Sequence, residues 1–449
     1  MSKRVHFIGI GGSGLSAVAQ IAKNFGYEVD GCDISSDTPY LEKVKKAGIK
    51  TFVGHDPQHL KDVDLVAVTP AMLYQNNDHP ELVLARKLGI MKKWQEFLGE
   101  DLHQGKFVIC VAGTHGKSTT TAWIGQLLET AKLDPTVEVG ATVSAWKNNI
   151  LLGKSQYFIS EADEFDNNFS SYQSDIVILT MVELDHSEYF GTYDNMLDIY
   201  SRFLGRIKPN GVLIFNADSP GSVSLSSRVI CNKIAYSIND AKNLYQDPDD
   251  STFTYQNQKY QIQLPGIHNI LNSLAVINLG KYLNIPNRFI ASSLNNFTGT
   301  SRRLELLGIK NGIRVYDDYA NHPSSFKASL EGVIQQNPGS KIIAVIEPHT
   351  FSRLKSLLWE LPRALKKADL VIISKIFASR ETDPGNFSGA DIAAAINSQS
   401  LPAGRRAKYI PEFSDIVHYL KSNTSQKSVV LVMGSGNSYL LSRQILESV

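Results

Sequence analysis

Cysteine is scarce. The 449 residues hold three, Cys32, Cys110 and Cys231, far apart and without a C-x-x-C pair. That spacing predicts reduced, mostly buried thiols and offers neither a disulfide framework nor a zinc-binding pattern. Net charge is equally thin: 45 basic against 44 acidic residues leave +1. No global field then draws the chain to nucleic acid or an anionic bilayer, and an anionic ligand must be held by local charges and backbone N–H groups. No apolar run approaches the roughly 20 residues of a spanning helix. The opening MSKRVHFIGIGGSG sets two basic residues before an apolar run of about five, too short for the core of a signal peptide. These absences predict a cytoplasmic protein, with neither nucleic acid nor membrane insertion.

What is present is ordinary globular composition, 43% hydrophobic and 20% charged, over a length that calls for two to four domains. Apolar runs at 5–10, 27–33 and 64–70 alternate with helical stretches at 15–26 and 41–48, a rhythm that predicts a parallel, doubly wound sheet. A polar stretch at 100–106 reads as a linker. A second strand–loop–helix start follows at 106–131, with further strands at 157–163, 175–182 and 211–218. Alternating segments at 229–238 and 251–264 predict antiparallel strands or hairpins, and 266–283 a helix. A third unit opens near Ser301, with strands at 312–320, 341–348, 369–374 and 428–434. The fold class expected is α/β in three domains, 1–104, 105–300 and 301–449.

Five local patterns carry chemistry. Gly113-Thr-His-Gly-Lys-Ser118 follows a strand and opens a helix. Backbone N–H groups there can cradle phosphates, Lys117 can reach the β- and γ-phosphates, and the Ser118 hydroxyl can bind Mg²⁺. The P-loop match is partial, because Val111 stands where the first glycine belongs. Gly9-Ile-Gly11-Gly-Ser-Gly14 fits GxGxxG after a strand, with Asp33 ending the next one. Taken alone this reads as NAD binding, hence a dehydrogenase, yet the same loop admits any pyrophosphate, that of a UDP-sugar included. Glu161-Ala-Asp163-Glu164 and Glu183-Leu-Asp185-His186 end two strands; oxygen ligands with one imidazole suit Mg²⁺ or Mn²⁺ better than zinc. Asn269 opens a helix and suits either an adenine edge or a cap. Ser301-Arg302-Arg303 precedes Asp317-Asp318-Tyr319-Ala-Asn321-His322-Pro323, a basic pair able to hold phosphate oxygens and an acidic stretch able to accept protons or bind a ribose.

GIGGSG, GTHGKSTTT, EADE, ELDH, PGIHNILN, SRRLE and DDYANHP, in this order over nearly the whole chain, resemble the Mur ligase family. The resemblance implies an N-terminal Rossmann-like UDP-binding domain, a central P-loop ATPase domain and a C-terminal Rossmann-like domain. It implies ATP-dependent ligation, with Mg²⁺, of L-alanine to the carboxylate of UDP-N-acetylmuramate through an acyl phosphate, by a monomer or dimer in peptidoglycan synthesis. The family's murein peptide ligases, which add a tripeptide to the same sugar, are the neighbouring alternative. Carried over by motif, Lys117, Glu161 and His186 are expected to be catalytic. Gly113, Thr114, Gly116, Lys117, Ser118, Thr119, Asn269, Arg303 and Asp318 are expected at ATP. Gly11, Gly12, Ser13, Gly14, Asp33 and Thr69 are expected at the UDP-sugar. His322, Arg353 and Arg380 are expected at the amino acid, and Ser118, Glu161 and His186 at the metal. Asn321 stands where the family has a second histidine.

Overall fold

The computed structural model describes residues 2–379, 381–398 and 406–449. It divides into two compact units, each assembled from three stretches of chain. The first comprises Met1–Val182, Leu197–Tyr236 and Ala275–Ser293; the second comprises Glu183–Met196, Ser237–Leu274 and Leu294–Val449.

The first unit opens with β1 (Arg4–Ile8), β2 (Glu28–Asp33), β3 (Lys50–Val53), β4 (Leu65–Val68) and β5 (Met91–Lys93), parallel throughout, in the order β3-β2-β1-β4-β5. β1 is central, and Val5, Phe7 and Ile8 are fully buried, as a strand covered on both faces requires. Helix Ser13–Asn24 follows it and turns Leu15, Val18, Ile21 and Ala22 inward.

A second sheet holds β6 (Phe107–Ala112), β7 (Thr136–Val143), β8 (Asn148–Leu151), β9 (Tyr157–Glu161), β10 (Ile176–Leu179), β11 (Val212–Asn216) and β12 (Asn232–Tyr236). Their order is β12-β11-β10-β6-β9-β7-β8, and only the β7–β8 pair is antiparallel. Register fixes what shares an edge: Val111 faces Glu161 and Ala112 faces Leu179. The loop after β6, the end of β9 and Thr180 after β10 therefore meet where an open parallel sheet binds its ligands.

Two expectations need correcting here. The segment 229–238 is neither an antiparallel strand nor a hairpin: β12 pairs parallel with β11, because helix Pro220–Ser227 carries the chain back across the sheet. Its alternation comes from an edge strand with one wet face. Nor is 100–106 a free linker. A π-helical turn, Leu98–Leu102, buries Leu98 and Leu102.

The second unit holds the antiparallel trio β13 (Lys242–Gln246), β14 (Ser251–Tyr255) and β15 (Gln258–Ile262), the hairpin expected for 251–264. Its main sheet adds β16 (Glu305–Lys310), β17 (Ile313–Asp318), β18 (Lys341–Ile346), β19 (Leu370–Ile373), β20 (Arg406–Tyr409) and β21 (Ser428–Met433). The order is β16-β17-β21-β18-β19-β20, parallel except for β16. In β21, Val429, Leu431 and Met433 join one core cluster and Val430 and Val432 the other. The strand thus buries both faces, and each such side chain contributes roughly 1.5–3 kcal/mol.

Candidate active site

The loop after β6 is shaped by two glycines. Gly113 (φ +134°) lies so close to Thr180 that a Cβ there would come within 2.2 Å of the threonine Oγ1, and Gly116 (φ +84°) caps helix Lys117–Thr130. The Thr114 N–H donates to the Met181 carbonyl (2.7 Å), and Thr180 Oγ1, with one proton to give, lies between the carbonyls of His115 (2.6 Å) and Ala112 (3.0 Å). β10 thereby fixes the loop while the first turn of the helix presents its N–H groups at the sheet edge.

Lys117 folds back over this loop. Its Nζ donates to the Gly113 carbonyl (2.6 Å) and to both Glu164 oxygens (3.0 and 2.8 Å). Burial works to lower its pKa, but Glu164, Asp163 and Glu161 outweigh that and hold the ammonium above the usual lysine value. Ser118 Oγ donates to Glu161 Oε1 (2.9 Å), and the Gly140 N–H donates to Oε2 (2.7 Å). A hydroxyl and a carboxylate side by side at a helix N-terminus fit a hard divalent cation. Thr119 is buried in the same first turn. Beneath, on β7, Glu138 is buried with Oε2 lacking a hydrogen-bond partner; burial, then the charge of Glu161, pushes its pKa well above the usual carboxylate range.

The glycine loop after β1 is built differently. The Gly9 and Ile10 N–H groups donate to the Cys32 carbonyl (2.8 and 3.1 Å). Asp33 takes the Gly11 N–H on Oδ2 (2.8 Å) and the Ser35 N–H on Oδ1 (3.0 Å). A Cβ on Gly9 would strike the Thr69 methyl at 2.4 Å, one on Gly11 would strike Asp33 Oδ2 at 2.8 Å, and one on Gly14 would strike the Trp94 ring at 2.6 Å. Packing explains those three glycines. Gly12 is different: it is exposed, its φ of −75° suits any residue, and a Cβ there would meet only the Gly9 carbonyl at 3.6 Å. Its neighbour Ser13 offers its carbonyl to Asn149 Nδ2 (2.7 Å).

The second unit gathers the remaining candidates in three places. Arg353, 3% exposed, pairs with Asp185 (Nη2 to Oδ1, 2.5 Å), lies 3.4 Å from His186 Nδ1 and 3.1 Å from His349 Nδ1. His186 Nδ1 also meets Glu188 (3.2 Å), while Nε2 lies 4.0 Å from Asp185 Oδ2. With a guanidinium beside Nδ1, only the Nε2 side of His186 suits a cation. Burial works to raise the pKa of Glu188, but the bond from His186, its own backbone N–H and the charges of His186 and Arg353 together lower it. His322 caps helix Pro323–Gln336, accepting the Ser324 N–H (3.3 Å), and sits 3.0 Å from Glu183 Oε1.

Asp318 is committed to its own turn. It accepts from Leu304 N (2.6 Å) and Ala320 N (2.7 Å), and burial raises its pKa against the pull of Arg303. Arg303 lies over the Tyr319 ring at 5.0 Å. Arg302 is spent on Asp317 (3.2 Å), the Gly434 carbonyl (2.6 Å) and Ser438 (2.8 Å). Asn269 donates to the Pro265 carbonyl (2.8 Å) and accepts from Asn272 (3.2 Å), so an adenine contact must replace those bonds. Asn321 bonds Ser435 (3.1 Å). Arg380 lies outside the described residues.

Sequence reading singled out Lys117, Arg353 and His322 but not the residues that hold them. Glu164, Asp185 and Glu183 were visible only as members of acidic strings, and Thr180 carried no signal.

The chain belongs to the Mur ligase family. Its three parts match the models described as Mur ligase family, catalytic domain (residues 4–104), Mur ligase middle domain (111–280) and Mur ligase, glutamate ligase domain (302–436). Among curated relatives it is 35% identical to the UDP-N-acetylmuramate–L-alanine ligase of Clostridium acetobutylicum over 457 residues, covering 99% of this chain and 98% of the relative. Among solved structures it is similar to the UDP-N-acetylmuramate–alanine ligase of Thermotoga maritima (TM-score 0.81, 24% identity, 99% of this chain and 98% of that one). A murein peptide ligase of Psychrobacter arcticus shares the fold at TM-score 0.70 and 21% identity, over 100% of this chain and 98% of that one. The dehydrogenase reading of GxGxxG gives way to this family.

Proposed function

We propose that this chain is an ATP-dependent ligase joining L-alanine to the carboxylate of UDP-N-acetylmuramate. The observation that carries the chemistry is the loop after β6, where Lys117, the Ser118 hydroxyl and the Glu161 carboxylate converge on one helix N-terminus. The relative's activity supports the choice of substrates. In the proposed division of labour, residues 1–104 hold the UDP-sugar, 105–300 hold ATP and 301–449 complete the site.

The substrate carboxylate attacks the γ-phosphorus and ADP leaves, giving an acyl phosphate. The L-alanine amine then attacks the acyl carbon; phosphate leaves, the amine loses a proton and one amide bond remains. Two anions must approach in the first step, so charge neutralisation and positioning do most of the work. Lys117 turns from Glu164 to the γ-phosphate, and Gly113, Thr114, Gly116 and Thr119 offer N–H groups around the phosphate chain. Ser118 and Glu161 would hold Mg²⁺, with His186 as the further ligand that the family pattern implies; the ion would supply positive charge against the repulsion of the two anions. Gly12, Ser13 and the Gly14 N–H receive the pyrophosphate of the UDP-sugar, while Gly11, whose own N–H is held by Asp33, sets the loop's shape together with Asp33 and Thr69. Arg303, Asp318 and Asn269 serve the adenosine side; His322, Arg353 and Arg380 serve the amino acid. No described helix is long and apolar enough to cross a membrane. The ligase is proposed to work in the cytoplasm, as a monomer or dimer.

The test is ADP release with UDP-N-acetylmuramate against L-alanine, glycine, L-serine and an L-alanine-led tripeptide, with the product weighed by mass spectrometry. L-Alanine should give the highest kcat/KM. A preference for the tripeptide reassigns the chain to peptide recycling, and no ADP with any amine overturns the proposal.

A further inference from the structure

Four of the chain's eleven histidines, His6, His55, His59 and His79, fall within its first eighty residues, and three of them converge beside Cys32 and Glu81. His6 comes from β1, Cys32 from β2, His59 from the 3₁₀ turn Pro57–Leu60, and Glu81 from helix Pro80–Lys87. His6 Nε2 lies 3.3 Å from Cys32 Sγ and 3.3 Å from Glu81 Oε1; His59 Nδ1 lies 3.1 Å from Glu81 Oε1; Cys32 Sγ lies 3.5 Å from Glu81 Oε2. One ligand atom from each of the four lies within 4.8 Å of all the others.

The separations to Glu81 Oε1, 3.3 Å from His6, 3.1 Å from His59 and 3.7 Å from Cys32, approach those of a coordination shell. Metal bonds of about 2.0–2.3 Å in a tetrahedron leave neighbouring ligand atoms about 3.3–3.6 Å apart. The support behind the shell is in place too. His6 Nδ1 meets Asp30 Oδ1 at 2.6 Å, and Asp30 Oδ2 is held by Arg4 Nη2 at 2.7 Å. A proton on Nδ1 given to Asp30 turns the Nε2 lone pair toward Cys32 and Glu81, the carboxylate–histidine–metal relay of many sites. A thiol has one weak proton to offer, yet Sγ faces His6, His55 (3.1 Å to Nδ1) and both Glu81 oxygens (3.7 and 3.5 Å). The His59 side chain is 14% exposed and stacks on Phe52 at 4.4 Å, whereas those of His6 and Glu81 are fully buried. An ion therefore has an entrance at His59.

We propose that His6 Nε2, Cys32 Sγ, His59 Nδ1 and the Glu81 carboxylate form a tetrahedral site for a zinc-class transition-metal ion. The donor set of two nitrogens, one sulfur and one oxygen selects against Mg²⁺ and Ca²⁺, which want oxygen alone. Binding exchanges the thiol proton, released to solvent, for the metal–sulfur bond. The site is separate from the Ser118–Glu161 pair, and its role is to clamp β1, β2, the turn at His59 and the helix at Glu81 into one piece. Its closest link to ligand binding is Cys32 itself, whose carbonyl takes the Gly9 and Ile10 N–H groups. The ligands lie at positions 6, 32, 59 and 81, too scattered for a spacing motif to announce.

The experiment titrates Co²⁺ into the chelator-stripped full chain under excess Mg²⁺, without oxygen. One equivalent should produce the near-ultraviolet thiolate-to-cobalt band and strong tetrahedral visible bands, and Zn²⁺ should displace both. Cys32→Ser should abolish the near-ultraviolet band. His59→Ala, at the rim, should keep its fold by circular dichroism and weaken cobalt by about 10- to 100-fold, the loss that even an outer-shell partner costs. Zn²⁺ should raise the Tm of the wild type and fail to do so in His59→Ala at the same concentration. A wild type without the thiolate band overturns the proposal. So does a band that survives Cys32→Ser, which would put the metal on Cys110 or Cys231. If Cys32→Ser does not fold, unchanged cobalt affinity in His59→Ala overturns it equally.

Discussion

The loops after β1 and after β6 begin alike, each with a buried parallel strand, a glycine at positive φ and a helix whose first turn offers N–H groups. They part company in what faces those N–H groups. After β1 a carboxylate of the chain itself, Asp33, takes one of them, and no lysine follows. After β6 the helix opens on Lys117 and Ser118, and the nearby carboxylates take side chains, Glu164 the ammonium and Glu161 the hydroxyl. The first loop is finished without a partner and can hold a pyrophosphate at rest. The second holds its charges in exchangeable pairs that a transferring phosphoryl group can enter.

Removing the mobile charge should have the largest effect. Lys117→Ala should lower kcat by roughly 10²- to 10³-fold. It also strands the buried Glu164 carboxylate, a loss of roughly 3–5 kcal/mol, so the melting temperature should fall with it. Lys117→Met combined with Glu164→Gln separates the two effects: stability should return and turnover should not. Near-normal kcat in that folded double variant would remove the distinction between the loops.

Next in size, Glu161→Gln should shift the Mg²⁺ concentration giving half-maximal kcat upward by at least 10-fold, the lower end for disturbed metal shells. High Mg²⁺ should partly rescue it. His186→Ala should shift the same curve. Superimposable metal curves for wild type and both variants would falsify the two-ligand proposal.

A smaller effect sharpens the first loop. Gly12→Ala adds a methyl group where only an external ligand has a claim, so it should raise KM for the UDP-sugar by about 10-fold and leave Tm and ATP affinity alone. Gly11→Ala should instead lower Tm, because its Cβ meets Asp33. Equal behaviour of the two variants would show that Gly12, too, is a packing glycine.

The smallest effect concerns the acid beneath the second loop. Folding raises the pKa of Glu138, so above the ordinary glutamate value the folded chain keeps a proton that the unfolded chain has released. Stability then falls as pH rises through that window. Glu138→Gln should gain Tm over wild type progressively as pH rises above the ordinary glutamate value; a difference that does not grow with pH would mean Glu138 stays ionised.

Both loops were legible in the sequence because their chemistry is compressed into contiguous strings beside a strand, where spacing and local structure coincide. So were the buried strands, whose apolar runs need no partner to be seen. The pairing of Asp185 with Arg353 and of Glu183 with His322 spans more than a hundred residues of sequence, and only the fold brings such partners together. The same holds for β12, whose alternation suits either strand direction until the returning helix decides. The bond from Asp33, at the end of β2, to the Gly11 N–H of the loop after β1 was equally invisible, because only the pairing of the two strands sets them side by side.

The interleaving of the two units has a consequence during synthesis. The seven-stranded sheet gains its outer strand only when Asn232–Tyr236 leaves the ribosome, and its unit closes only with Ala275–Ser293. Until β11 and then β12 arrive, the fully buried residues of β10 lie along an open sheet edge. A released chain that ends between residues 182 and 211 therefore displays an apolar strand able to pair with another molecule. Truncated products ending there should aggregate, whereas a chain extended through Tyr236 covers β10 with β11 and β12 and should stay dispersed.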